Sequence, residues 1–305
     1  SARHQERPGG AADGVRIGLC EADTRGCQFI RRGRVQVLRS VAVGVERALV
    51  DRPLDAVYFA FEDLAPLADE LVGQRVTAVD TRGKALLTRF DGGLTMYSHN
   101  QLYGRWYVVR QGRKPKTNRS LRVALHNATH SALLYSASDV DLLDEAGLAA
   151  HPFLARLGPD ILDRGLTEAA IAERLEASAF RRRSLGALYL DQGFLAGNGN
   201  YLRSEVLHFA GLHPALRPVD LTDESRLRLA KVTLQIARRS YRTAGITNPP
   251  SRVDELKAEG QTRSALRFAV FGRAARPCHV CDTRIERVNV TSRRLYFCPS
   301  CQPAA

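Results

Sequence analysis

No stretch of the 305 residues approaches the ~20 consecutive apolar side chains of a membrane span. The opening carries no apolar run ending in a small-residue cleavage site, so no secretory leader is legible. Cysteine is scarce: Cys20, Cys27 and four residues near the C-terminus. Outside a secretory context these do not read as a disulfide framework, and a reducing cytoplasm is the expected compartment. No internal repeat is visible. The last shortage is of acid. Asp and Glu total 32 against 45 Lys and Arg, for a net charge of +13 and a pI near 9.9. Such a surplus is the electrostatic footprint of a polyanion binder, nucleic acid first. A solubilising surface would carry the same sum. The runs Arg181-Arg182-Arg183 and Arg293-Arg294 favour phosphate, which matches the planar fork of arginine. A hydrophobic share of 44% is enough for a proper core.

What is present begins with four cysteines in two close pairs. Cys278-x2-Cys281 is followed after 16 residues by Cys298-x2-Cys301. Each short spacing lets one tight turn present two thiolates, and four thiolates fill a tetrahedral shell with no open position. One structural zinc is therefore expected, against the alternative of redox CxxC pairs or disulfides. Between the pairs, Ile285–Val290 alternates like a strand and Arg294–Phe297 reads as its partner.

The periodicity divides the rest. Residues 1–32 are Gly-, Arg- and polar-rich and read as an atypical, disordered extension. A helix is expected from Val35 to Val50, stopping before Arg52-Pro53. Six short strands follow at Asp55–Phe61, Val76–Asp80, Ala85–Phe90, Leu94–Ser98, Leu121–His126 and Ala132–Ser136, which suggests a β-sandwich. Helices are expected at Val140–Ala150, Thr167–Ala177, Gly186–Phe194, Tyr201–Ala210 and Asp223–Tyr241, with Thr167 and Thr222 as N-caps. Residues 150–159 read as an interdomain linker, and Asn248-Pro249-Pro250-Ser251 as a loop before the zinc module. The fold class is α+β and multidomain: a β-sandwich domain over 33–150, a helical domain over 151–262 and a zinc finger over 263–305. Gly197 and Gly199 free the backbone ahead of a helix starting near Asn200, an arrangement able to bind phosphate or to serve as a plain corner. Thr81-Arg82-Gly83-Lys84 forms a basic turn inside a strand pair.

These segments occur in a telling order. Thr81–Leu87, Tyr97–Gly104, Leu134–Asp139, His151-Pro152-Phe153, Gly158-Pro159-Asp160, Asp191–Arg203 and the four-cysteine hairpin together resemble the formamidopyrimidine-DNA glycosylase/endonuclease VIII family, its bacterial endonuclease VIII branch above all. The resemblance runs from about residue 35 to 301. It implies a β-sandwich, a helix–two-turn–helix domain and a zinc finger. It also implies excision of oxidised pyrimidines from double-stranded DNA, with the damaged nucleotide flipped out of the stack, then β,δ-elimination at the abasic site by a monomer associated with the bacterial nucleoid. By position, the resemblance makes Lys84 the lysine that contacts phosphate and assists proton transfer. Arg293 becomes the hairpin-tip arginine that grips the lesion's phosphates and assists the second elimination. Asn200 becomes the phosphate-binding asparagine and Arg156 a basic DNA contact. Gln101, Leu102 and Tyr103 become the wedge that fills the gap left by the flipped base.

One motif departs. The family's nucleophile is an N-terminal proline followed by glutamate, because a free terminal amine attacks the anomeric carbon and an amide nitrogen does not. The matching positions hold Gly33 and Arg34, Val37 replaces a further glutamate, and no proline in the chain precedes a glutamate. Three accounts stay open: an opening that is not the natural one, a relative that binds damaged or abasic DNA without catalysis, and a Schiff base formed by Lys84.

Overall fold

The computed structural model describes residues 34–101 and 103–304, and the side chains of its first helix from Leu38 onward. The expected extension over 1–32, Gly33, and Leu102 of the wedge lie outside the described residues. Helix α1 (Arg34–Leu49) buries Leu38, Val41, Ala42, Val45, Ala48 and Leu49, the i, i+3, i+4, i+7 stripe of a helix that packs along one face. It lies against strands of both sheets that follow.

Those sheets are four-stranded and antiparallel, and they form the β-sandwich. One has the order β1 (Ala56–Phe59), β6 (Leu121–His126), β7 (His130–Tyr135), β5 (Arg105–Arg110). The other runs β2 (Val76–Arg82), β3 (Ala85–Phe90), β4 (Thr95–His99), β8 (Asp139–Leu143). Strand β3 is buried on both faces, which is why Ala85-Leu86-Leu87 is an unbroken apolar run rather than an alternation. Ala85, Leu87 and Tyr97 face outward under Leu148, Phe153 and Leu154 of the segment leaving the sandwich.

The structure corrects the expected strand count: among the described residues the two sheets hold eight strands rather than six. Strand β5 fell between the expected ones. Strand β8 replaces the first turns of the helix expected from Val140. The local alternation Asp139-Val140-Asp141-Leu142 is a strand period, and β4 offers an open edge for it to pair with. Its acidic face meets imidazoles, Asp139 beside His99 (3.7 Å) and Asp141 beside His151 (3.2 Å). Helix α2 (Glu145–Ala150) starts only after Asp144, whose carboxylate accepts from Gly147 N–H at 2.7 Å.

The helical half contains α3 (Pro152–Ala155), α4 (Glu168–Glu176), α5 (Leu185–Leu188), α6 (Asn200–Ala210), α7 (Asp223–Arg242) and α8 (Pro250–Ala258). Thr167 and Thr222 cap α4 and α7 as expected. Helix α5 is shorter than expected, because the chain must turn after Tyr189 to meet the segment at Gly158. Helix α8 sits where a loop was expected: Pro249 is its N-cap and Pro250 its first residue, a position where a missing N–H costs nothing. Within the helical half, backbone bonds tie the segment that follows α3 to the corner that precedes α6. Gly158 N–H donates to Gln192 O at 2.9 Å, Ala196 N–H to Pro159 O at 3.0 Å, and Ile161 N–H to Ala196 O at 2.9 Å.

Only glycine fits at Gly158, where a Cβ would lie 2.4 Å from Gly193 O and 2.6 Å from Phe194 O. Gly158→Ala is expected to destabilise the protein by about 1–3 kcal/mol through overpacking. Urea denaturation reads this as a lower midpoint at unchanged slope, and an unchanged midpoint would contradict the close approach.

Candidate nucleic-acid interface and metal centre

The basic turn predicted from sequence is the two-residue connection of β2 to β3. Arg82 pairs with Ala85, and Gly83 at φ 59° takes the conformation that a side chain resists. Lys84 follows at the tip, half-buried. The turn faces the helical half, since a Cβ on Gly83 would meet Leu157 at 3.3 Å and Ala196 at 3.4 Å. Beside it opens a cleft of about 540 Å³ whose charged lining is Arg39, Arg82, Arg164, Asp160 and Asp163. Asp160 holds Arg39 at 3.1 Å and accepts from Leu162 N–H at 2.8 Å.

From Ala196 the chain runs directly into α6. Asn198, fully buried, donates to Tyr189 O at 2.6 Å, and the Gln192 side chain donates to Asn198 O and accepts from Gly197 N–H. This internal bonding sets a compact corner whose last residue, Gly199, caps α6 without a side chain. The first N–H groups of α6 thus have no side-chain cap, beside the Asn200 amide.

Helix α6 then grips the C-terminal module with a run of buried polar residues. The Arg203 guanidinium, 0% exposed, donates to Gly186 O (2.7 Å), to Asn200 Oδ1 (2.6 Å) and, at 3.4–3.5 Å, to the carbonyls of Val290, Arg293 and Arg294. Burial pushes its pKa down to about 10, and the charge of Arg293 acts in the same direction. Ser204 Oγ accepts from Tyr296 N–H at 3.2 Å. Glu205, also 0% exposed, accepts from the N–H groups of Ala269, Val270 and Phe271 at 2.8–2.9 Å and from Thr247 Oγ1 at 2.5 Å. His208 approaches Gln302 Oε1 at 3.3 Å, and that oxygen accepts from Cys298 N–H at 3.0 Å.

The gripped module is the hairpin β9 (Glu286–Val290) and β10 (Arg293–Phe297), as the sequence predicts. Thr291 and Ser292 turn it at φ 51° and 59°, and Arg293 is exposed just past that tip. Leu295 and Phe297 are buried in the core of the helical half. At the other end the Sγ atoms of Cys278, Cys281, Cys298 and Cys301 all lie within 4.8 Å of one another. Measured edges are 3.9 Å for Cys278–Cys301 and 3.4 Å for Cys281–Cys298 and Cys281–Cys301. A tetrahedron built on zinc–sulfur bonds of ~2.3 Å has edges of ~3.8 Å, so the donor set fits zinc. Disulfides would need ~2.05 Å.

The predicted residues are only partly gathered. Asn200 and the Arg293 hairpin meet: the amide Nδ2 donates to Arg294 O at 2.8 Å. The Lys84 turn touches the corner leading to Asn200 through Ala196. Arg156 is exposed near that corner, its Nε donating to Pro152 O at 2.8 Å. Gln101 and Tyr103 occupy a separate loop after β4. Gln101, at φ 44°, donates to Asp139 (3.4 Å) and accepts from Ser138 (3.0 Å), while Tyr103 stands 65% exposed. Sequence reasoning missed Arg203 and Glu205 as site residues. A polar triplet Arg203-Ser204-Glu205 between Leu202 and Val206 was the available signal, but nothing local identifies its partners in the C-terminal module, 64 to 92 positions away.

Comparison with known proteins agrees with this geometry. Residues 35–138 match the model of the formamidopyrimidine-DNA glycosylase N-terminal domain, and residues 276–304 that of the zinc finger found in FPG and IleRS. Endonuclease 8 of Klebsiella pneumoniae is 48% identical over 265 residues, which is 87% of this chain and 97% of that protein; Endonuclease 8 of Escherichia coli matches to the same extent. The crystal structure of Lactococcus lactis Fpg with abasic-site DNA superposes with a TM-score of 0.72 over 89% of this chain and 100% of that one, at 19% identity, which is a likeness of fold. Nearly half its residues are shared along almost the full length of Endonuclease 8, and on that ground the chain belongs to the formamidopyrimidine-DNA glycosylase/endonuclease VIII family.

Proposed function

We propose that this chain is a base-excision repair protein of the endonuclease VIII type. It excises oxidised pyrimidines from duplex DNA and cleaves the resulting abasic site by β,δ-elimination. The observation that carries the reading is the pairing of Asn200, at the uncapped start of α6, with the hairpin that exposes Arg293. N–H groups without a side-chain cap, an amide and a guanidinium together suit a DNA phosphate beside a flipped nucleotide. The net charge of +13 supplies the long-range attraction. Lys84, at the edge of the arginine-rich cleft, is assigned to phosphate contact and proton transfer. Arg156 is a flanking backbone contact, and Gln101, Leu102 and Tyr103 form the wedge. Tyr103 has the exposure that a stacking substitute needs. The protein acts as a monomer with one structural zinc, its working parts being the segments 33–150, 151–262 and 263–305.

A second reading is favoured by a specific observation. The positions that match the family's Pro-Glu pair hold Gly33 and Arg34, so the chain would bind damaged or abasic DNA without that nucleophile. Borohydride trapping on abasic-site duplex separates the two. The lyase step condenses an amine with the C1′ aldehyde, releasing water, and borohydride reduces the resulting imine to a stable adduct. An adduct is the expected result for the enzyme, and its loss in Lys84→Ala would identify that lysine as the amine. Tight binding with no adduct rejects the lyase step and leaves the binder.

Arg293→Ala is expected to weaken binding to lesion-bearing duplex roughly tenfold, since it removes a charge-assisted hydrogen bond, and to lower the salt dependence by about one phosphate contact. Zinc content should stay unchanged, and wild-type affinity would refute the role. Metal analysis is expected to find one zinc per chain. Its removal by a chelator should lower DNA affinity by loosening the hairpin base; affinity indifferent to zinc would break the proposed coupling.

A further inference from the structure

Arg203 is a buried cation. Among the described residues no carboxylate pairs with it, and its acceptors are four backbone carbonyls and one amide oxygen. A charge withdrawn from water without a partner is costly, so a side chain needed only for packing would be served better by a neutral one. Its hydrogen bonds suggest what the charge is for. Because Arg203 can only donate, Asn200 must turn its Oδ1 inward to accept at 2.6 Å. The Nδ2 end therefore faces the hairpin and solvent. One of its two protons goes to Arg294 O at 2.8 Å, and the other remains for a ligand. The same guanidinium draws in the carbonyls of Val290, Arg293 and Arg294, on both sides of the hairpin tip.

We propose that Arg203 is a positioning residue for phosphate capture: it fixes the donor end of the Asn200 amide outward and locks the Arg293 hairpin beside it, so that the two form one preassembled clamp for a DNA phosphate oxygen. Its own charge lies just beneath, and a bound phosphate supplies a negative charge for it. Preorganised donors of this kind bind without a reorganisation cost. The inference rests on reading Asn200 and Arg293 as phosphate contacts and adds how their geometry is set.

Affinity for a duplex carrying a tetrahydrofuran abasic-site analogue tests it. Arg203→Lys keeps the charge, but a single ammonium cannot span both Asn200 and the hairpin. With zinc content and thermal unfolding retained, it is expected to bind about tenfold more weakly, the scale of one hydrogen bond to a charged group. Asn200→Ala should show a similar loss, and the double variant little more than either single one, because one residue acts through the other. Losses that multiply in the double variant, or wild-type affinity in a folded Arg203→Lys, overturn the proposal. Asn200→Asp decides the matter even if Arg203→Lys fails to fold. It keeps an oxygen toward Arg203 but turns an oxygen toward the phosphate, so it should bind no better than Asn200→Ala; wild-type affinity overturns the proposal. If Asn200→Ala and Arg293→Ala both bind as wild type, the phosphate reading itself falls. If they weaken binding while Arg203→Lys does not, only the positioning role falls.

Discussion

Helix α6 carries a burden unusual for an interior helix: four of its buried side chains, Arg203, Ser204, Glu205 and His208, are polar and are turned toward the C-terminal module. Buried polar groups are stable only when they are satisfied, so each one specifies its partner. Glu205 can sit at 0% exposure only because three consecutive backbone N–H groups and a threonine hydroxyl converge on it. A network of this kind fixes the position of the zinc module more sharply than apolar contact could, since a slip of one residue would orphan a charge.

Position matters because the module carries the exposed Arg293 at its tip. The zinc ligands hold its base, Leu295 and Phe297 seat its second strand in the helical core, and the tip carries Arg293 to the start of α6. The sandwich contributes from the other side. Its β2–β3 turn meets Leu157 and Ala196, so Lys84 and Asn200, 116 positions apart in sequence, border the same corner. The corner is itself inelastic. Gly158 leaves no room for a Cβ, and backbone hydrogen bonds cross between 158–161 and 192–196. The proposed phosphate-binding surface, assembled from three segments, is held rigid by these few contacts, and the arginine-lined cleft lies at its edge.

Much of this was legible beforehand, for reasons that can be named. The zinc hairpin was readable because ligand chemistry fixes the Cys-x2-Cys spacing. Helices α4, α6 and α7 were readable because a threonine cap or an apolar stripe marks them locally. Strand β8 and helix α8 were not. The first is a strand because β4 presents an edge to it, and the second begins on a pair of prolines whose usual message is a loop. In each case a tertiary neighbour, or a first-turn exception to a local rule, outweighed the local signal.

Sequence alone determined the chemistry on offer: four thiolates at metal spacing, a glycine-rich corner before Asn200, a basic turn at Lys84, an excess of arginine, and Gly33-Arg34 where relatives of this family place their nucleophile pair. Each is a matter of residue identity and short spacing, which a chain carries whether folded or not. Tertiary structure decided which of them act together. The union of Asn200 with the Arg293 hairpin, and the buried Arg203 that joins them, depends on one side chain finding backbone carbonyls 90 and 91 positions away. No local pattern encodes that distance. It follows from the cost of burying an unpaired charge, which exists only once the core has closed around it.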